Sequence, residues 1–184
     1  MSGPGHGAGA ADHRKDPMNH PTLPARALCA LIGPPGSGKS TFAHKHFKPT
    51  EIVSSDFCRA LVADDENDQS ASRDAHDLLR SIADKRLKRG RLTVIDATNL
   101  RSSDRGWFLA RARHWQRPPV AVLFDVPLAT VQAQNAARDR VVPSHVVHEF
   151  HSLMPTTAQL HDEGWDTVHL ASTFTARPNS PNVR

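Results

Sequence analysis

Residues 33–40 read GPPGSGKS, which has the G-x-x-x-x-G-K-[ST] spacing of a phosphate-binding loop. Its glycines let backbone N–H groups turn inward around an anion. Lys39 can reach the outer phosphates of a nucleoside triphosphate, and the Ser40 hydroxyl can be a ligand of Mg²⁺. The motif therefore predicts binding of ATP or another NTP with Mg²⁺. The predicted nucleotide-binding residues are Gly33, Pro34, Pro35, Gly36, Ser37, Gly38, Lys39, Ser40 and Thr41.

A second group of chemically active residues lies in the stretch IVSSDFCR. Asp56 can accept the proton of an attacking hydroxyl group. Arg59 follows three residues later, on the same helix face, and can bind an anionic substrate. The alternative is structural, because Asp is a common N-cap residue and Arg59 could pair with a surface acid. Position in the sequence leaves both interpretations open.

A third candidate is the stretch LTVIDATN, in which an apolar segment ends at Asp96 and Asn99 follows closely. An apolar strand that ends in Asp is typical of a carboxylate that supports bound Mg²⁺. We expect Asp96 to act on the metal through a water molecule. Asp125 ends a similar segment, but Pro127 follows it, so we expect Asp125 to cap the next helix.

The stretch NAARDRVVP places Arg138 and Arg140 in a short polar segment before Pro143. Arginines on a mobile segment that closes over a triphosphate can stabilise the charge of a transferring phosphoryl group. The pattern therefore predicts a lid with two candidate catalytic arginines. A solvated pair of loop arginines is the alternative.

Short apolar runs alternate with longer periodic segments along the chain, which predicts the elements that position these residues. Alternating strands and helices predict an α/β domain with a parallel sheet, helices on both faces and ligands at the carboxyl ends of the strands. Pro155 should break or kink the last helix. The predicted strands are 27–32, 51–54, 92–96, 120–125 and 167–170, and the predicted helices are 39–47, 56–63, 70–89, 103–115, 127–138 and 143–161.

The chain has 184 residues, which is room for one such domain, expected at residues 25–172. Residues 1–24 and 173–184 are poor in apolar side chains, and we expect disordered tails there. No apolar run approaches membrane-spanning length, so we expect a cytoplasmic protein with no membrane partner. The net charge of +4 is compatible with a polyanionic partner or with a solvated basic helix face.

Three stretches together, GPPGSGKST, KPTEIVSSDFCRALVADDENDQ and LTVIDATN, closely resemble the 5′-hydroxyl polynucleotide kinase domain of bacterial polynucleotide kinase–phosphatases. The resemblance extends over about residues 27–172. It implies a P-loop kinase fold with strand order 2-3-1-4-5 and a helical lid. It also implies roles for four residues: Asp56 as general base, Arg59 on the phosphate beside the 5′-terminal nucleoside, Asp96 in the substrate and metal network, and Arg138 as the lid arginine. Asn99, close behind Asp96, is a further predicted substrate-binding residue.

The implied activity is transfer of the γ-phosphate of ATP to the 5′-hydroxyl of RNA or DNA during nucleic-acid end repair. Phosphatase and ligase modules accompany the kinase in that family, so separate phosphatase and ligase proteins are expected partners. One alternative is a small-molecule P-loop kinase, either zeta-toxin-like or acting on an antibiotic or sugar nucleotide. Another is an NTP-dependent switch without kinase activity. Asp56 beside Arg59 favours a kinase, because a switch needs no base for an alcohol.

Overall fold

The computed structural model describes residues 23–137 and 141–174. Within these residues, a single sheet of five parallel strands has the order β2-β3-β1-β4-β5. The predicted fold class and strand order are confirmed. The strands are β1 (Leu28–Ile32), β2 (Ile52–Ser54), β3 (Thr93–Asp96), β4 (Pro119–Leu123) and β5 (Thr167–Leu170).

The helices lie close to the predicted segments, with one exception at the end of the domain. The segment predicted as a single helix, 143–161, forms two helices on either side of Pro155. Proline cannot donate a backbone hydrogen bond, and a capping box between Thr156 and Gln159 starts a new helix just after it. The helices are α1 (Lys39–His46), α2 (Ser55–Ala63), α3 (Ser72–Lys88), α4 (Ser102–His114), α5 (Leu128–Ala136), α6 (Ser144–Ser152) and α7 (Thr157–Glu163).

Two hydrophobic layers cover the sheet, because side chains alternate between the faces of each strand. All five residues of β1 are buried. Leu28, Ala30 and Ile32 belong to the layer that includes the buried face of α3. Cys29 and Leu31 belong to the opposite layer, which includes the α1 residue Ala43. The central strand is therefore covered on both faces, and both cysteines of the chain are buried.

Several predicted helix starts differ from the structure. Asp125 does not cap α5, which begins at Leu128 after Pro127. The exposed Asp125 carboxylate instead accepts hydrogen bonds of 3.3 Å from the Ser172 hydroxyl. Helix α4 begins at Ser102, one residue before the predicted start, and follows Arg101.

Most of the two predicted tails lies outside the described residues, as do Arg138 and Arg140. Thr173 and Phe174, which the sequence assigned to the C-terminal tail, are folded: Thr173 ends a 3-10 turn, and Phe174 is buried against the α1 side of the sheet. Of the described helices, none has the length and apolar character needed to cross a bilayer.

Candidate functional site

A cleft of about 1510 Å³ opens at the carboxyl ends of the strands. The phosphate loop lies on its floor, and the start of α2 and α3 forms one wall. The segment 141–150 and residues 171–174 contribute to the other sides. A cleft of this volume can hold two substrates, one on each side of the loop.

The phosphate loop leads from β1 into α1 and encloses the Lys39 side chain. The Lys39 ammonium group donates hydrogen bonds to the Pro34 carbonyl at 2.8 Å and to the Ser37 hydroxyl at 3.3 Å. Lys39 is only 8% exposed, and Ser37 is buried beside it. The lysine charge is therefore held at the start of α1, where the helix dipole also favours an anion.

Two glycines of the loop are required by their surroundings. A Cβ atom on Gly33 would lie 2.7 Å from the Ser37 hydroxyl oxygen. Gly36 has a φ of +84°, and a Cβ atom there would lie 3.0 Å from the backbone oxygen of Val131 in α5. The loop is therefore packed tightly against α5, and larger residues would displace it.

Asp96 ends β3 beside both the loop and the start of α2. Its Cα is paired in register with Leu31 of β1 and with Ser54 of β2. Burial raises the pKa of Asp96, and the nearby charge of Asp56 raises it further. A hydrogen bond with the Ser40 side chain and the charge of Lys39 oppose this increase in pKa. The predicted metal-supporting pair, Ser40 and Asp96, is thus in direct contact.

Asp56 and Arg59 form an ion pair on the α2 wall of the cleft. The distance from Arg59 Nη1 to Asp56 Oδ1 is 2.7 Å, and Nη1 also donates to the Glu66 carbonyl at 2.7 Å. The Asp56 side chain is 50% exposed, whereas that of Arg59 is 7% exposed. The capping alternative for Asp56 is wrong, because the N-cap of α2 is Ser54, whose hydroxyl accepts from Phe57 N.

Asn99 lies behind the cleft rather than in it. Its amide nitrogen donates to the Leu31 carbonyl at 2.8 Å, and the residue is 3% exposed. The loop after β3 is joined to the phosphate loop by a hydrogen bond from Gly33 N to the Thr98 carbonyl. The predicted substrate contact by Asn99 therefore needs correction, since its side chain is used to connect two strand ends.

Sequence reasoning missed a buried arginine that supports this connection. Arg105 of α4 donates from Nη1 to the backbone carbonyls of Asn99 and Leu100, at 2.9 and 2.7 Å. Its Nε lies 2.8 Å from a Glu163 carboxylate oxygen on α7. No sequence motif marks Arg105, and only the burial of a charged residue identifies it (3% exposed).

Asn135 and Val142 lie on either side of the two predicted lid arginines in the sequence, and the buried Asn135 side chain joins them by hydrogen bonds. Asn135, at the end of α5, donates from Nδ2 to the Val142 carbonyl at 2.7 Å and accepts from Val142 N at 3.1 Å. Arg138 and Arg140 lie between these two residues but outside the described chain. Asn135 also lies against Gly36, so it connects the phosphate loop with Val142.

The described residues contain no group of three or more His, Cys, Asp or Glu side chains arranged to hold a metal. Mg²⁺ is usually held by one or two carboxylates together with substrate phosphates and water. Ser40 and Asp96 supply a hydroxyl and a carboxylate oxygen beside the phosphate loop. This donor set fits Mg²⁺ bound with a nucleotide.

A model of the AAA domain family AAA_33 matches residues 28–157. The matched region contains the phosphate loop, Asp56, Arg59 and Asp96. No curated protein matches the sequence.

Several solved structures share the fold at low sequence identity. A chain of the Pnkp1/Rnl/Hen1 RNA repair complex has a TM-score of 0.60 at 19% identity, covering 85% of this chain and 49% of that one. The APS kinase CysC of Mycobacterium tuberculosis, in complex with AMPPNP and APS, has a TM-score of 0.53 at 17% identity, covering 82% and 90%. A sugar kinase from Janibacter sp. HTCC2649 has a TM-score of 0.53 at 15% identity, covering 78% and 83%.

These similarities establish a P-loop kinase fold. This chain spans about half the length of the chain that it matches in the repair complex. The matched structures include kinases of different substrates, so the fold is shared across acceptor classes.

Proposed function

This chain belongs to the AAA domain family AAA_33, and we propose that it is a kinase that transfers the γ-phosphate of ATP or another NTP to the 5′-hydroxyl of RNA or DNA. The observation that carries the proposal is the Asp56–Arg59 pair, which lies in the same cleft as the phosphate loop. A base for an alcohol and a binding group for an anion are thereby both close to the donor phosphates.

Asp56 is suited to the role of general base. Its Oδ1 is held by Arg59, while Oδ2 has no hydrogen-bond partner among the described residues. As the 5′-hydroxyl oxygen forms its bond to the γ-phosphorus, the proton passes to Asp56 and the bond to the leaving diphosphate breaks. Half of the Asp56 side chain is exposed, so an acceptor can approach it.

Arg59 is suited to hold the acceptor. Within the described chain, its Nε and Nη2 atoms make no hydrogen bond, and Nε is fully buried. An incompletely paired guanidinium costs free energy, and a phosphate oxygen placed beside it would supply an acceptor. The resemblance to polynucleotide kinases and the motif around Arg59 favour a phosphodiester as this anion.

The donor half would bind the triphosphate through loop N–H groups and Lys39. Ser40 and Asp96 would hold Mg²⁺, which when bound neutralises charge between the β- and γ-phosphates. The Lys39 ammonium group, held by the phosphate loop, would add a second positive charge beside the same phosphates. For the transferring phosphoryl group we propose Arg138 or Arg140, with the larger effect expected for Arg138, because a positioned arginine is worth roughly 10³–10⁵ in rate in phosphoryl transfer.

A small-molecule kinase is the main alternative, because an APS kinase and a sugar kinase share the fold. The two proposals differ in the use of the acceptor's phosphate. A polynucleotide kinase should prefer a nucleoside 3′-monophosphate or an oligonucleotide over the bare nucleoside. Separate phosphatase and ligase proteins would then complete the repair of the same ends.

The test measures kcat/KM for adenosine, adenosine 3′-monophosphate and a short 5′-hydroxyl oligonucleotide. We expect the wild-type enzyme to prefer the two phosphate-bearing acceptors and Arg59→Ala to lose that preference. Arg89→Ala is the matched control, because Arg89 is exposed at the far end of α3. A wild-type enzyme that is indifferent to the 3′-phosphate, or an Arg59→Ala enzyme that keeps the preference, would show that the acceptor is of another class.

A further inference from the structure

Beyond Arg59, the wall of the cleft continues onto α3. Arg59 donates to the Glu66 carbonyl. Hydrogen bonds from Ser70 lower the pKa of Asp68, and the charge of Arg59 contributes to the same decrease. The 3-10 turn Gln69–Ala71 follows, and α3 begins at Ser72. Arg59, Gln69, Ser72 and His76 all line the same cleft.

Ser72 and His76 lie on the cleft side of α3. They are four residues apart, so their side chains are neighbours on one helix face. Both are partly buried, and neither side chain makes a hydrogen bond within residues 23–137 and 141–174. Two polar side chains that line a cleft and make no hydrogen bond to the described residues are available to hydrogen-bond to a ligand.

The position of this pair relative to Asp56 and Arg59 is fixed by packing. Cys58 of α2 belongs to the same buried cluster as Ala75 and Leu79 of α3. Ala75 is adjacent to His76 and is fully buried. The two helices are therefore packed against each other behind the cleft.

We propose that Ser72 and His76 form a second acceptor subsite that hydrogen-bonds to the phosphodiester one nucleotide further from the reacting 5′ end than the phosphate at Arg59. This inference rests on the proposed function. Serine hydroxyl groups and other side-chain donors commonly bind the nucleic-acid backbone, which fixes the position of the strand without reading its sequence. The subsite would make the enzyme prefer longer acceptors.

The proposed subsite predicts a measurable gain in kcat/KM with acceptor length. A hydrogen bond to a charged oxygen is worth roughly tenfold to a hundredfold in affinity. We expect kcat/KM to increase by about that factor from adenosine 3′-monophosphate to a 5′-hydroxyl dinucleotide that carries a 3′-phosphate. The added phosphate is the group that reaches the new subsite.

The experiment measures this gain for wild type, His76→Leu, Ser72→Ala and the double variant. His76→Leu replaces the imidazole ring with an apolar side chain of similar bulk and so removes the ring nitrogens. His114→Ala, at the exposed C-terminal end of α4, is the matched control. We expect the gain to decrease in both single variants and to vanish in the double variant. Activity on adenosine 3′-monophosphate should stay within about twofold, because Arg59 still binds its phosphate.

Distinct outcomes overturn distinct claims. If the double variant keeps the full length gain, or if His76→Phe restores it by stacking on a base, the proposed phosphodiester contact is wrong. If the wild-type enzyme uses adenosine 3′-monophosphate but gains nothing from the second nucleotide, the subsite is wrong and the proposed function stands. If no nucleotide is phosphorylated, the proposed function is wrong and this inference with it. Thermal unfolding of each variant establishes that the fold is intact.

Discussion

The proposed donor half and the proposed acceptor half of the cleft are built in different ways. The donor half is a run of consecutive residues, 33–40, whose backbone wraps around the Lys39 side chain. The acceptor half is assembled from side chains of two helices, α2 and α3, and Arg59 donates to the Glu66 carbonyl in the segment between them. One half is therefore set by local chain geometry, and the other by how two helices pack.

This difference suggests how each half responds to substitution. Backbone N–H groups bind every nucleoside triphosphate in the same way, so the few important donor side chains should matter for every acceptor. Side chains on the proposed acceptor wall would each contact only the acceptor. Their loss should change which acceptor is used rather than whether the donor binds.

The largest expected effect is in the donor half. Lys39→Ala should reduce phosphoryl transfer by at least about 10³-fold, because a positioned cation near the transferring group is worth roughly 10³–10⁵. The loss should be equal for nucleoside, nucleotide and oligonucleotide acceptors in an assay with γ-labelled ATP. Lys88→Ala is the control at the far end of α3. A loss that depends on the acceptor would contradict the assignment of Lys39 to the donor half.

In the acceptor half, Asp56→Asn should reduce transfer by about 10²–10⁴-fold through loss of the general base. Asparagine keeps an oxygen that can accept from Arg59, so the wall should remain in place. Calorimetric titration with a non-hydrolysable ATP analogue should therefore give a dissociation constant close to that of wild type. A large loss of donor binding would show that the two halves are not separable at this residue.

Asp96 lies where the halves meet, and its substitution should separate stability from activity. Because the folded-state pKa of Asp96 is raised, the native state binds more protons than the unfolded state between the unfolded and folded pKa values. The wild type should therefore lose stability as pH rises through that interval. Asp96→Asn lacks this contribution, because an amide does not titrate there. At neutral pH the ligand-free variant should melt higher, by about 2–4 °C for each kcal/mol, while transfer declines.

Melting curves of both proteins from acid to neutral pH check this prediction. The difference in melting temperature should be smallest in acid and should increase as pH rises. A difference that is independent of pH would show that protonation of Asp96 is not its cause.

The smallest effect on transfer is expected behind the cleft. Asn99→Ala should cost about 1–3 kcal/mol of unfolding free energy, because the Leu31 carbonyl loses a buried donor. We expect the acceptor KM to stay within about twofold, because the Asn99 side chain lies outside the cleft. Denaturant unfolding and steady-state kinetics measure the two effects. An acceptor KM that increases strongly in a stable variant would restore the predicted substrate contact.

Much of the fold could be predicted from sequence because its signals are local. The phosphate motif, the apolar runs and their alternation with helical segments each depend on a few neighbouring residues, and they yielded the correct strand order together with the family resemblance. The break at Pro155 was also expected, although two complete helices on either side were not. The prediction that Asp125 caps α5 was wrong. Its carboxylate instead accepts a hydrogen bond from Ser172, a residue distant in sequence.

The amino-acid sequence by itself determined the donor half, since glycine spacing and one lysine are sufficient to shape a backbone cradle. It also placed Asp56 and Arg59 on one helix face, but it could not distinguish a helix cap from a base. Only the tertiary structure decided that Ser54 caps the helix, that Asn99 joins two strand ends and that Arg105 supports them. The roles of Asn99 and Arg105 depend on contacts with Leu31 and Glu163, which are far from them in the chain, and such contacts exist only when the helices are packed on the sheet. The Ser54 cap is a local contact with Phe57 N, but the sequence left its position open.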